Sequence, residues 1–334
     1  MPKTTGQKLK PIAVLEVLRE HSDEENPITA TEICEFLAER GITAERKSVY
    51  ADIEALTDYG YDIVRSYSPK GFFLGNREFE EAEICLLSDA VRTAKFISPK
   101  KTRVLVKKLG KLLSHGQRLK RERDIYFNPS QKCGNEEIFY NIDSIATAIR
   151  KGKKVAFSYV SRVLSGREFV DTAKQMVVSP YALTWQDDHY YLICNYEKYD
   201  NLIHLRLDRI NKVEILEEKA RFFGEVSDYT EFFDVADYTN KIFGMYTGEL
   251  QTIELCCKKK LAKTVVDRFS ENIFITNVTE DEFCFSYKAA VSDALVTFIL
   301  NFGDEIKVIK PQSLKEMIVN RAEKVINMYK IYKN

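Results

Sequence analysis

The chain of 334 residues holds a single tryptophan, four histidines, no C-x-x-C pair and no apolar run of the ~18 residues a membrane-spanning helix needs. The longest apolar stretch, Val291–Phe302, is interrupted by Ser292, Asp293 and Asn301. Residues 1–10 lack the apolar core of a secretion signal, which predicts a cytoplasmic protein with no membrane partner. The histidines (His21, His115, His189, His204) are scattered, and none belongs to an H-E-x-x-H or triad-like motif. P-loop and G-x-G-x-x-G patterns are also missing. These absences predict a protein that is not an enzyme and uses no cofactor or metal. The seven cysteines are expected to be small buried thiols in a reducing compartment.

Net charge is missing too: fifty basic residues balance fifty acidic ones. With 45% apolar and 30% charged residues, the composition is that of a globular protein rather than a disordered one. The charge is unevenly spread, however. Between Arg92 and Asp124 twelve basic side chains face only Glu122 and Asp124. Such a run is either a solvated helix face or a polyanion contact.

The length predicts two or three domains, and the texture places boundaries at 1–76, 77–136, 137–220 and 221–334. Residues 8–75 read as three helices and a hairpin. Pro11 suits a first helical turn, with Leu9, Ile12, Leu15 and Leu18 following at helical spacing. Thr29-Ala30-Thr31-Glu32 is a capping box that opens a second helix, stopped by Gly41. Thr43 offers a cap for a third helix that Gly60 ends. Strands Tyr61–Tyr67 and Phe72–Leu74 follow, joined by Ser68-Pro69-Lys70-Gly71. Residues 77–136 form a helical linker that carries the basic cluster, with a helix start at Ser98-Pro99 and a polar tail over Tyr126–Glu136.

Two short helices with a tight connection, then a hairpin, describe a winged helix-turn-helix. In the third helix Val49, Ile53 and Leu56 point one way, and Lys47, Tyr50, Ala51 and Glu54 the other. Arg46, Lys47 and Ser48 fall in its first turn, where side chains and N–H groups can meet phosphates and base edges, and Lys70 sits at the hairpin tip. These residues and Tyr50 are the candidate contacts to double-stranded DNA. Residues 1–76 hold nine basic and thirteen acidic side chains, so binding has to rest on a local patch. A small trihelical interaction domain is the alternative.

After a helix around Ile142–Arg150 the texture changes to short strands: Val155–Val160, Gln175–Val178, Tyr181–Thr184, Tyr190–Tyr196, Leu202–Leu207 and Lys212–Leu216. This spacing suggests a small barrel or curled sheet. Phe222–Phe243 is an aromatic connection. The last block, from Glu249, alternates β-α-β-β-α-β and fits a ferredoxin-like layout closed by a final helix at Ser313–Tyr329. The fold class is therefore α+β and multidomain.

Two stretches resemble the WYL-domain transcriptional regulators. Arg46, Lys47, Ser48, Tyr50, Asp52, Ile53, Leu56 and Gly60 match the recognition helix of that family, with Ala51 in place of an Arg. VSPYALTWQDDHYYLICNY at 178–196, followed by LRLDRI at 205–210, is similar to the WYL core. The eponymous Trp-Tyr-Leu falls on Tyr190, Tyr191 and Leu192. The final block is similar to the family's C-terminal extension. The resemblance implies an Sm-like β-barrel that senses a nucleic acid fragment or nucleotide and adjusts DNA binding by the winged helix, in a dimer.

On the residues themselves, alternation along Leu202–Arg209 places His204, Arg206 and Asp208 on one face, away from Ile203, Leu205 and Leu207. An Arg beside an imidazole, with rings from Tyr159, Tyr190 or Tyr191, suits phosphate and base recognition. Arg206 is expected to project toward an open hollow. Arg209 either joins this site or pairs with Asp208. A second functional reading is an accessory nucleic-acid-binding protein that modulates a nuclease complex such as a CRISPR effector.

Overall fold

The computed structural model describes residues 8–121, 132–271 and 273–330, and the chain divides into two compact units, Met1–Glu136 and Glu137–Asn334. The end of the basic cluster (122–124) and the linker residues 126–131 fall outside the described residues. The fold is α+β, with three antiparallel sheets among the described residues. No helix among them is long and apolar enough to cross a membrane.

In the first unit, helices α1 (Lys10–His21), α2 (Ala30–Glu39) and α3 (Arg46–Tyr59) precede a hairpin of β1 (Ile63–Tyr67) and β2 (Lys70–Leu74). The capping box of α2 is formed: the Glu32 N–H donates to Thr29 Oγ1 at 3.3 Å, and the Thr29 N–H donates to Glu32 Oε2 at 2.7 Å. Gly41 and Gly60 close α2 and α3 at φ of 76° and 116°, a region costly to any residue with a Cβ.

Two expectations need correction in this unit. Leu9 and Ile12 are each 55% exposed, while Ala13, Val14, Leu15, Val17 and Leu18 face the core. The apolar run is dense enough to offer two stripes, and the buried one joins Ile33, Leu37, Val49 and Ile53 in a common core. Helix α3 begins after Glu45, so Thr43 lies in the connection instead of capping it.

Lys10 Nζ meets Asp52 Oδ2 at 2.9 Å with both side chains almost buried, fastening α1 to α3. A Cβ on Gly71 would lie 2.8 Å from the backbone of Pro27 and Ile28, where Ile28 bridges to Phe72. Helices α4 (Glu81–Thr93), α5 (Pro99–Gly110) and α6 (His115–Arg121) complete the unit. Ser98 caps α5, accepting from the Lys101 N–H at 3.2 Å, with Pro99 in the first turn as its sequence requires.

The second unit opens with α7 (Ile138–Lys151), which buries Ile138, Asn141, Ile145 and Ala148 at helical spacing. A five-stranded antiparallel sheet follows: β3 (Lys153–Ser165), β4 (Glu168–Gln186), β5 (His189–Asn195), β6 (Leu202–Arg206) and β7 (Ile210–Lys219), in the order β6-β5-β4-β3-β7. The strands expected at Gln175–Val178 and Tyr181–Thr184 are one strand, β4, that changes partner. It pairs with β3 up to Val178 and with β5 from Ser179 onward. Pro180 lies at that change, beside a register shift, where its missing N–H costs the ladder little.

The aromatic connection contains α8 (Val235–Asn240). Its Phe233, Tyr238, Ile242 and Met245 pack with Ala182, Ile193 and Leu202 of the sheet. The last block runs β8 (Glu249–Lys258), α9 (Ala262–Phe269), β9 (Phe274–Val278), β10 (Glu282–Val291), α10 (Asp293–Leu300), β11 (Ile306–Lys310) and α11 (Gln312–Lys330). Its sheet has the antiparallel order β11-β8-β10-β9, and Val265, Phe269, Leu295 and Ile299 share a core with Ile253, Leu255 and Phe285.

The expectation of seven reduced thiols is also corrected. Cys256 and Cys284 stand directly opposite each other in the β8–β10 register and are joined as a disulfide. Only the register reveals this pair, because the two residues lie 28 apart in sequence.

Candidate nucleic-acid and effector sites

In the first unit, α3 has the two faces its sequence requires. Val49, Ile53 and Leu56 are buried, while Arg46, Lys47, Tyr50, Ala51 and Glu54 are exposed. Ser48 is half-buried and spends its hydroxyl proton locally, donating to the Glu45 carbonyl at 2.9 Å. Tyr50 leans edge-on against Phe72 of the hairpin, ring centroids 5.7 Å apart, and stays 46% exposed. Lys70 is exposed at the start of β2, after a two-residue loop, Ser68-Pro69, shorter than the four-residue turn expected. Asp52, part of the same sequence motif, is taken by Lys10 and is therefore structural.

In the second unit, the β5–β6 ladder sets Tyr191 opposite Arg206 and Ile193 opposite His204, so these four share one face. Tyr190 lies on the other face of β5 with the fully buried Leu192 and Cys194, and it pairs across with Trp185. The two tyrosines therefore cannot line one site, because strand neighbours alternate. Burial pushes both hydroxyls above the ordinary tyrosine pKa. Tyr159, on β3, lies near enough to Arg206 to interact with it electrostatically, as does Tyr191.

Arg206 does not face an open hollow as a free cation. Its Nε and Nη2 donate to the two oxygens of Asp208 at 3.1 and 2.7 Å, while the side chain stays 28% exposed. Burial depresses the guanidinium pKa, but the Asp208 bonds and charge outweigh that and raise it. The carboxylate expected as a possible partner for Arg209 thus belongs to Arg206. Strand β6 ends at Arg206, and the turn Leu207–Arg209 swings Asp208 back under its guanidinium and leaves Arg209 exposed.

His204 is not a ligand-facing group either. Its Nδ1 lies 2.8 Å from the Met245 carbonyl and its Nε2 lies 2.9 Å from the Tyr238 hydroxyl. A carbonyl only accepts, so Nδ1 carries the proton and Nε2 accepts from Tyr238. Burial draws the imidazole down to about 4, against a small upward pull from the Met245 carbonyl. His204 is thus a neutral clasp between β6 and the aromatic connection.

Sequence reasoning misses a cleft of about 790 Å³ beside the β4–β5 turn, lined by Gln186, Asp187, Phe243, Tyr246, Arg268 and Arg321 among others. The Arg268 guanidinium lies 3.8 Å above the Phe243 ring and donates to the Ile242 carbonyl at 2.7 Å. Its only trace in the sequence is the density of aromatic residues over 222–243. Among the described residues, no group of three or more His, Cys, Asp or Glu is placed to hold a metal ion.

Comparison with known families identifies a WYL domain over residues 140–215 and a WCX domain over residues 249–326. No curated protein matches the chain. Among solved structures, proteasome accessory factor B/C (PafBC) of Arthrobacter aurescens aligns over 92% of this chain at 16% identity, with a TM-score of 0.29. The alignment covers 47% of PafBC, so this chain spans about half its length. A CRISPR Cas-related protein aligns over 99% of this chain and 86% of its own, at 13% identity and a TM-score of 0.37. The chain thus contains a WYL domain, covering α7 through β7, and after it a WCX domain that takes in the C-terminal sheet.

Proposed function

We propose that this protein is a ligand-responsive DNA-binding transcriptional regulator. The observation that carries the proposal is α3, where Arg46, Lys47 and Tyr50 are exposed opposite a buried apolar stripe, with Lys70 exposed on the hairpin behind. We read this unit as a winged helix-turn-helix whose α3 enters the major groove and whose hairpin meets a flanking phosphate. In this reading the five-stranded sheet is an Sm-like barrel, and the C-terminal block is a ferredoxin-like module suited to dimerisation. A dimer would set two recognition helices on half-sites about 34 Å apart or a multiple of that.

The effector in this proposal is a nucleotide or nucleic acid fragment held on the face shared by Tyr191 and Arg206, with Tyr159 nearby. Its phosphate takes the place of Asp208 on the Arg206 fork, and a tyrosine ring stacks on the base. His204 makes no ligand contact. Instead it links β6 to the connection leading into the C-terminal block, so a shift of β6 reaches that block through one clasp. The protein acts here by binding and not by catalysis.

Mass spectrometry of the purified protein, with gel-shift assays on its own promoter before and after removal of any copurified ligand, tests the proposal. A bound nucleotide whose removal changes the shift supports it. A ligand-free protein whose DNA binding no nucleotide or oligonucleotide alters would count against the sensing half.

A further inference from the structure

Helix α5 carries a row of cations that the recognition helix does not account for. No Asp or Glu occurs between Asp89 and Glu122. Lys100, Arg103, Lys107 and the capping residue Lys111, which follows α5 in helical conformation, come at spacings of three, four and four residues, which on a helix is one line along one face. All four are exposed, and Lys108 flanks the line. Among the described residues none of the four has a carboxylate within ion-pair distance, although Lys120 nearby reaches Glu25 and Arg92 reaches Asp89.

The opposite face of α5 is committed inward. Thr102 is buried, and Leu105, Val106 and Leu109 are half-buried. The cationic line is therefore fixed outward by packing rather than by chance of side-chain rotation. A solvated helix face ordinarily mixes signs to limit self-repulsion. This one does not.

We propose that the outer face of α5 is a second, sequence-independent contact to the phosphate backbone of duplex DNA, supplementing α3. The inference rests on the reading of the same unit as a duplex-binding module. At about 1.5 Å rise per residue the line from Lys100 to Lys111 is about 16 Å long. One strand of B-DNA presents a phosphate every 3.4 Å or so along the helix axis, so about five phosphates span that length against four cations. It also offsets a charge imbalance: residues 1–76 hold nine basic and thirteen acidic side chains, an acidic excess that disfavours phosphate contact. An anionic membrane fits less well, because the apolar face that would enter the lipid is already packed inside the unit.

The test is the salt dependence of binding to a random-sequence duplex, measured by fluorescence anisotropy on the full chain. A Lys100→Gln/Arg103→Gln/Lys107→Gln/Lys111→Gln variant should lower the slope of log affinity against log salt by about 3.6, at roughly 0.9 for each phosphate that is no longer neutralised. Arg103→Gln alone should lower it by about 0.9. Circular dichroism melting checks that both variants remain folded. An unchanged slope in folded variants overturns the α5 contact and leaves the role of α3 standing. A wild-type protein that binds no duplex overturns both. Capture by phosphatidylglycerol vesicles that depends on these cations, with the DNA slope unchanged, assigns the face to a membrane and overturns the proposal.

Discussion

Arg206 and Asp208 bond fork to fork through two contacts of 3.1 and 2.7 Å, and the carboxylate is only 10% exposed. The cation opposite Tyr191 in the WYL sheet is therefore already neutralised, and the proposed anionic effector has to compete for it. Asp208→Asn keeps the shape and removes the competing charge. It should tighten the binding of a nucleoside 5′-monophosphate about tenfold, the worth of one charge-assisted hydrogen bond of roughly 1.5 kcal/mol. Arg206→Gln should abolish that binding. Isothermal titration calorimetry reads both, and identical affinities across the three proteins would remove Arg206 from the site.

His204 predicts an acid-sensitive join in the second unit. Its folded pKa of about 4 lies below the unfolded 6.5, so the unfolded chain binds the extra proton between those values. Its contribution is complete above pH 6.5 and is lost as the pH falls toward 4, with a full loss of about 3 kcal/mol. Urea unfolding of the wild type should therefore weaken more steeply over that range than unfolding of His204→Gln. Parallel pH profiles would show that the clasp does not bear on stability.

The Lys10–Asp52 pair makes a separate prediction for the first unit. Asp52→Ala strands a nearly buried ammonium and should destabilise the unit by about 3 kcal/mol, seen as a lower urea midpoint. Lys10→Met/Asp52→Leu removes both charges and should recover most of that loss. A double variant as unstable as the single would show that packing, not the orphaned charge, sets the cost.

Much of this architecture is written locally. The Thr29–Glu32 box, the stops at Gly41 and Gly60, the Ser98-Pro99 start and the two faces of α3 each depend on residues within a few positions of one another. For that reason they can be read directly. Long-range features are not legible in the same way. Continuity of β4 through Pro180 depends on a change of strand partner, and the choice between two apolar stripes on α1 depends on what α2 and α3 offer it. The pairing of Cys256 with Cys284 depends on strand register.

The proposed effector face shows the same division. Alternation correctly sets His204 and Arg206 on one side of β6, yet it is blind to the elements lying over that side. Met245 and Tyr238, about forty and thirty-four residues downstream, claim the imidazole. The strand also ends earlier than alternation implies, which hands Asp208 to Arg206. Arg268 escapes notice because its surroundings come from three separate elements.

The proposed DNA-reading surface is the exposed side of α3, and one titration examines it directly. Anisotropy of a labelled promoter duplex should show wild-type binding that weakens at least about tenfold in Arg46→Ala/Lys47→Ala, since two cations that would meet phosphates or bases are removed. The variant should melt with the wild type, because both side chains are exposed. Equal affinities for the two proteins would contradict the assignment of α3 as the DNA-reading element.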